Sequence, residues 1–417
     1  MQGMKLRFRI HDLLFYILLV LTFYHTRNMA TRLMMVAFFG YTVMQMIVNK
    51  SKLPLPFYYI GFAVFILYGA ANIALGNVIN TDVARTMVVS LALNLLMIIA
   101  IVQYVYMQKY ISHVLRVTEI SIFSTVLVVA ALSWKTIAQG RLGGGTEMNA
   151  NMLSLLCVYG FTISLYLRKS GKITQHATWF RVAFYMIAIL LTGSRKGIIM
   201  IVLAIMVVQF TTERKKILKN IFMGLALVGA LYLLIMNVGF LYDIIGVRIE
   251  NLITVVLGGE TTEASLNDRQ ELVEIGMRYI REKPWTGYGY DCFKMISGMN
   301  GYGNVSVGER GYYAHNNYIE LLFGGGIVGI VLYYIPVLHF LKKLIKGLWK
   351  HPCMPYLLAI LVSKLAVEYA HVAYYMRMDA YIIGVMLGCM LLSYKNTDAG
   401  QEMLEQHNET LDGEVDA

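Results

Sequence analysis

Four short clusters hold side chains whose types and spacing could do chemistry. In Ala314-His315-Asn316-Asn317-Tyr318-Ile319-Glu320 an imidazole precedes a carboxyl group by five residues, a set suited to accepting a proton and orienting the acceptor. A satisfied structural histidine is the plainer alternative. In Thr192-Gly193-Ser194-Arg195-Lys196-Gly197 two adjacent cations follow a tight turn, which suits an anionic ligand, or else two side chains snorkelling from a helix end. Arg269 follows Ser265-Leu266-Asn267-Asp268, a helix-start signal. A cation in a first helical turn opposes the helix dipole, so Arg269 needs another reason for its position. Lys364, Glu368 and His371 recur at i, i+4 and i+7 on one helical face, where an ion pair that locks a bundle is favoured over a proton relay.

The elements that position these residues follow from composition. The chain has 417 residues, 58% apolar and only 15% charged, against roughly 45–50% and 25% in soluble domains. This mixture excludes a soluble enzyme, a disordered chain and a disulfide scaffold. Cys157 and Cys389 lie in apolar runs, and Cys292 and Cys353 stand far apart in polar ones, without the spacing of a zinc site or a disulfide framework. No G-x-x-x-x-G-K-[ST] loop couples the chain to nucleotide hydrolysis. The formal charge of +11, from 36 Lys+Arg and 25 Asp+Glu, points either to nucleic acid or to a membrane surface, and the location of the charges decides between them.

A bilayer core of ~30 Å takes about 20 apolar helical residues. The chain predicts about twelve such spans, at 12–25, 30–48, 57–76, 86–106, 117–134, 150–167, 178–194, 197–211, 220–238, 318–341, 354–373 and 379–394. The first reads as an uncleaved span, since no small-x-small cleavage site follows it. Basic residues concentrate in alternate connections, including Lys50 and Lys52, Arg168, Lys169 and Lys172, Arg214 to Lys219, and Lys342 to Lys350. By the positive-inside rule both termini are cytoplasmic. Few basic residues remain for the short outer connections, among them Arg27, Arg32, Arg85, Arg141, Arg195, Lys196 and Arg377. The expected organisation is nine spans over 1–238, an extracytoplasmic loop over 239–313, three spans over 314–395 and an acidic, solvated cytoplasmic tail over 396–417.

Within the loop, Leu272, Ile275, Tyr279 and Ile280 recur at helical spacing until Pro284. This predicts an amphipathic helix on the bilayer, with Arg278, Arg281 and Lys283 against lipid phosphates. Gly287 to Tyr313, rich in Gly, Tyr and Ser, predicts a flexible lid. Tyr288, Tyr290, Tyr302, Tyr312 and Tyr313 could offer stacking faces to a ligand there or anchor the interface.

Thr192-Gly193-Ser194-Arg195, Asn267-Asp268-Arg269, Glu282-Lys283-Pro284-Trp285-Thr286-Gly287-Tyr288-Gly289, Ala314-His315-Asn316-Asn317-Tyr318-Ile319-Glu320 and Gly326-Ile327-Val328-Gly329 resemble, in order and spacing, the O-antigen ligase and polymerase superfamily of bacterial envelope glycan assembly. Arg141-Leu142-Gly143-Gly144-Gly145-Thr146 with Asn151 is similar to a weaker upstream signature. The resemblance implies an all-α, GT-C-like polytopic protein of the bacterial cytoplasmic membrane. It implies a metal-independent, inverting glycosyltransferase without a cofactor. Its donor would be an undecaprenyl-pyrophosphate-linked glycan, its acceptor a glycan or lipid-linked sugar, with no nucleic-acid partner. Arg195, Arg269 and His315 become the catalytic candidates, with Arg141, Lys196, Asn316 and Glu320 as substrate-binding candidates. A repeat-unit polymerase is slightly favoured over a ligase. The alternative of another class is a transporter or lipid-linked glycan flippase, supported by Lys364, Glu368 and His371.

Overall fold

The computed structural model describes residues 9–24, 28–135, 141–144, 146, 148–213, 216–259, 264–299 and 311–415. Among these the protein is helical, without strands: α1 (Ile10–Tyr24), α2 (Met29–Val48), α3 (Phe57–Ala74), α4 (Thr81–Tyr106), α5 (Ile111–Ser133), α6 (Ala150–Lys169), α7 (Gln175–Leu191), α8 (Arg195–Thr212), α9 (Ile217–Asn237), α10 (Gly239–Leu241), α11 (Val247–Val256), α12 (Ala264–Glu282), α13 (Phe293–Met299), α14 (Asn317–Lys346), α15 (Met354–Val367) and α16 (Arg377–Val415). A π-helical turn, Tyr242–Gly246, joins α10 to α11. Side-chain caps fix several starts. Asn28, Asn80, Thr174, Ser194 and Asn316 accept from Thr31, Val83, Ala177, Gly197 and Tyr318 amides respectively, satisfying donors the helix leaves orphaned. The cap at Asn80 explains why α4 begins five residues before the predicted span.

Each of the twelve predicted spans falls on a helix. Nine helices among the described residues are long and apolar enough to cross a bilayer, so the chain is a polytopic membrane protein. The other three, α1, α7 and α15, have 15, 17 and 14 residues. Residues on α6, α15 and α16 fill the centre of the bundle. At its edge α2 and α9 leave large apolar side chains exposed, such as Val36, Leu218 and Phe222, as a lipid-facing surface requires.

Four expectations change. First, α12 does not lie on the bilayer: Leu272, Ile275 and Ile280 are buried in a small core with Val83, Phe293, Ala314, Ile319 and Phe323. Its apolar face is used by protein, and Lys283 donates to the Asn77 carbonyl at 3.0 Å rather than facing outward, while Arg278 and Arg281 stay exposed. Second, α15 stops at Val367, a 3-10 turn covers Glu368–Ala370, and His371 is extended, so Lys364, Glu368 and His371 do not share one helical face. Third, the backbone of α16 continues through the acidic segment to Val415. Fourth, the 287–299 stretch is built into the fold rather than free. Tyr290 is 2% exposed and donates to the Phe65 carbonyl, and Tyr288 stacks on Phe323 with centroids 5.1 Å apart. Tyr302 lies outside the described residues.

That stretch enters a break in α14. Gly326 has φ 63° and ψ −164°, a backbone region open essentially to glycine alone. The break frees carbonyls before it and amides after it. The Tyr288 and Gly289 amides donate to the Phe323 and Gly324 carbonyls, each at 2.8 Å, and the Ile327 amide donates to the Pro284 carbonyl at 2.8 Å. Gly324, Gly325, Gly326 and Gly329 would by composition be expected to allow close helix approach. They serve a chain crossing instead, for a Cβ on Gly326 would lie 2.3 Å from the Trp285 carbonyl group.

Candidate active site

Lys196, in the first turn of α8, feels Arg269, Arg195 and Arg141, and His315 feels Arg269, Lys196 and His371. The structure therefore gathers candidates from 141 to 315 at the end of the bundle where α8, α14 and α16 begin. Four separate segments supply them, and His371 adjoins from a fifth.

The turn between α7 and α8 is shaped for this. Gly193 has φ 57°, and a Cβ there would sit 2.8 Å from Ile244 atoms and 3.3 Å from Arg141 Nε. The Arg141 guanidinium donates through Nε to the Thr192 carbonyl at 2.5 Å and through Nη2 to Asn151 Oδ1 at 3.4 Å. Ser194 Oγ donates to the same Asn151 oxygen at 3.0 Å. Arg195 Nη1 donates to the Arg248 carbonyl of α11 at 2.6 Å. Lys196 Nζ donates to the Ala370 carbonyl, which joins the start of α8 to the end of α15. These contacts hold the cations in place on backbone carbonyls, and charge held in place is more effective than charge that must reorganise.

His315 sits in the connection to α14 with φ 52°, a left-handed conformation uncommon outside glycine and enriched at histidine and asparagine. Both flanks hold it there. The Ala314 amide donates to Glu320 Oε2 at 2.8 Å, and Asn316 Oδ1 caps α14 by accepting from the Tyr318 and Ile319 amides at 2.9 and 3.2 Å. The Glu320 carboxyl group and Asn316 side chain, both buried, thus shape the loop that carries the imidazole. The His315 ring packs on Tyr313 with centroids 4.1 Å apart. Burial first, then Arg269, Lys196 and His371, push its pKa down from 6.5 to about 4. The imidazole is therefore neutral at neutral pH and can accept a proton.

Sequence reasoning passed over Asn317 and Asp379 here and misplaced His371. Asn317 Oδ1 accepts from the Ala373 and Tyr374 amides at 2.9 and 3.1 Å, pinning the segment before α16 to the start of α14. His371 Nε2 lies 3.1 Å from Asp379 Oδ2, so the histidine assigned to the intramembrane trio belongs to this end of the bundle. Asn317 adjoins a residue the sequence singled out, but nothing in spacing marks which of two asparagines turns inward. Lys364 and Glu368 pair at 2.5 Å, each about 1% exposed, and Tyr334 Oη and Asn317 Nδ2 donate to the other carboxylate oxygen at 2.5 and 3.2 Å. A network so closed locks helices together.

Residues 180–334, from α7 into α14, match the family model described as O-Antigen ligase. A protein of Pseudomonas aeruginosa named O-antigen ligase is 31% identical over 144 residues, which is 34% of this chain and 28% of that protein. The chain thus matches little more than a quarter of that relative's length. The matching segment holds the Arg195 turn, Arg269, His315 and the Gly326 break. The segment 180–334 is thus similar to the O-antigen ligase family.

Proposed function

We propose that the protein is a membrane glycosyltransferase that moves a glycan from an undecaprenyl-pyrophosphate donor to an acceptor hydroxyl at the outer face of the bacterial cytoplasmic membrane, both termini being cytoplasmic. The carrying observation is that Arg141, Arg195 and Arg269 act together on Lys196, while Arg269 and Lys196 act on a neutral His315. Cleaving the anomeric carbon–oxygen bond leaves negative charge on the pyrophosphate. Guanidinium groups held in place can take up that charge without a divalent cation. Arg195 and Arg269 are assigned to the leaving pyrophosphate, with Lys196 beside them and Arg141 setting the turn.

His315 accepts the proton of the attacking hydroxyl. Binding a pyrophosphate offsets the cations that depress its basicity, so the imidazole becomes a stronger base once the donor is seated. Attack from the side opposite the leaving group inverts the anomeric configuration, which linkage analysis of donor and product checks. Asn316 and Glu320 act by shaping the loop. A repeat-unit polymerase is favoured over a ligase, because the cluster is specific for the donor and an acceptor of the same kind requires no different chemistry.

The decisive measurement is glycan transfer in proteoliposomes supplied with a defined lipid-linked oligosaccharide. Arg269→Ala is expected to lower the rate by roughly 10²-fold or more, and His315→Ala by about 10²–10⁴-fold, with both variants folded. Full activity in both would remove the site assignment. Movement of lipid across the vesicle without a new glycosidic bond would favour a flippase.

A further inference from the structure

At the end of the bundle opposite the candidate active site, where α5 and α7 begin, two arginines come together inside the helices. Arg116 lies five residues into α5 and Arg181 six residues into α7, each ~8 Å along its helix at 1.5 Å per residue. The carboxylate beside them is fully engaged. Glu119 Oε2 accepts from Arg181 Nη1, and Oε1 accepts from Tyr185 Oη at 3.0 Å and from Ser164 Oγ at 3.4 Å. Arg116 has no share in this network. Its Nε is buried without a hydrogen-bond partner, it makes no ion pair among the described residues, and the charge of Arg181 acts on it more strongly than that of Glu119. Two cations against one acid leave a positive charge at a depth where uncompensated charge is costly. An arginine that merely snorkels carries its guanidinium away from neighbouring charge into water. Arg116 is instead held half-buried near Arg181.

The surroundings specify the compensating anion. Trp179 and Phe180, beside Arg181, are exposed, as aromatic side chains are where headgroups meet hydrocarbon. One turn beyond the contact of Phe123 with Phe184, whose centroids lie 4.4 Å apart, Leu127 on α5 and Ile187 on α7 are also exposed, an apolar surface for acyl chains. Toward the helix starts, Lys109 and Lys172 both sit over the Tyr110 ring, at 5.3 and 5.8 Å, and repel any cation in a headgroup. A phosphodiester with an uncharged headgroup and acyl chains matches all three features. It supplies one negative charge, and its two oxygens suit a guanidinium fork. A phosphoethanolamine headgroup would bring an ammonium against the two lysines.

We infer that Arg116 and Arg181 hold the phosphate of one anionic phospholipid, of the phosphatidylglycerol type, in the cleft between α5 and α7. The site is separate from the residues assigned to glycan transfer and does not depend on that reading. Its place in the fold gives the lipid a structural effect. Helix α7 leads into the Thr192–Ser194 turn and packs on α6, and it meets α5 through the Arg181–Glu119 pair and the contact of Phe184 with Phe123. A phosphate shared by both arginines adds a further tie between α5 and α7.

Native mass spectrometry of the full-length protein in detergent, with phosphatidylglycerol and phosphatidylethanolamine of equal chain length in competition, tests this. Wild type is expected to retain one phosphatidylglycerol with a preference of about tenfold, and its unfolding midpoint should rise when that lipid is added. Arg116→Gln, which leaves Arg181 paired with Glu119, should bind the two lipids equally and lose the rise. Arg116→Lys keeps the charge without the fork and should fall between Arg116→Gln and wild type. Arg278→Gln, at an exposed position of α12, should match wild type. A wild-type preference retained in either Arg116 variant, or no preference in wild type, overturns the inference. So does a rise in midpoint with inorganic phosphate equal to that with the lipid, which would make the site one for a free anion.

Discussion

At the scale of single residues, His315 shows how burial and charge set a base. Its pKa lies at about 4 in the folded protein against 6.5 ordinarily. As pH falls through 6.5 the unfolded chain takes up a proton on this ring, while the folded chain does not until about 4. Its contribution to stability is therefore complete above 6.5 and is lost between there and about 4. Thermal unfolding in detergent at pH 7 and pH 5 should show a smaller loss of midpoint for His315→Gln than for wild type; an equal loss would mean the ring is not the depressed group. Arg195, Lys196, Arg269 and His315 were legible in the sequence because each breaks a local rule: cations away from the expected face, a cation against a dipole, a histidine beside a span. Asn316 and Glu320 were legible as polar residues in an apolar setting, but their roles were not. Whether a side chain turns to a ligand or to its own backbone depends on the loop's dihedrals, which residue types do not fix. His371 was misplaced for a related reason, since helical periodicity was extended past Val367 where the helix had already ended.

At the scale of elements, apolar length located every span helix, but periodicity could not identify what covers an apolar face. The stripe on α12 reads the same whether lipid or protein lies beneath it, and here protein does. The glycines of α14 pose the same ambiguity between close packing and a break. Gly326→Ala is expected to cost roughly 1–3 kcal/mol from its backbone conformation alone, and more because the Cβ would strike Trp285. A lowered unfolding midpoint together with protease cleavage near 284–289 would confirm the displaced crossing, whereas a wild-type midpoint would show that the break is not glycine-dependent. The pair in α15 gives a contrasting expectation. Lys364→Met leaves Glu368 buried without its cation and should destabilise by about 3–5 kcal/mol. Adding Glu368→Gln should restore much of that loss and keep glycan transfer near the wild-type rate. A double variant that is stable yet inactive would instead revive a proton-relay role.

At the scale of the whole molecule, the bias of basic residues predicts an orientation with the cationic cluster outside. The four cysteines are buried, so background labelling by a membrane-impermeant maleimide should be low. Glu274→Cys, exposed on α12, should react in intact cells, and Leu218→Cys, 83% exposed near the opposite end, should react only after lysis; the reverse pattern would invert the topology and remove the outer site. The Gly326 break carries a consequence for biogenesis. The stretch from Ile327 to Lys346 at the end of α14 spans ~30 Å at 1.5 Å per residue, the thickness of a hydrocarbon core. Insertion machinery therefore meets a complete span after Gly326, and in the proposed topology the turns from Asn317 to Gly325 stay with the chain on the outer side. The amides of Tyr288 and Gly289 find their carbonyl partners only on this later-made segment. Assembly of this end of the bundle is thus timed to the arrival of α14, and a chain stalled before that point has the cations of α8 and α12 but no connection on which to set His315.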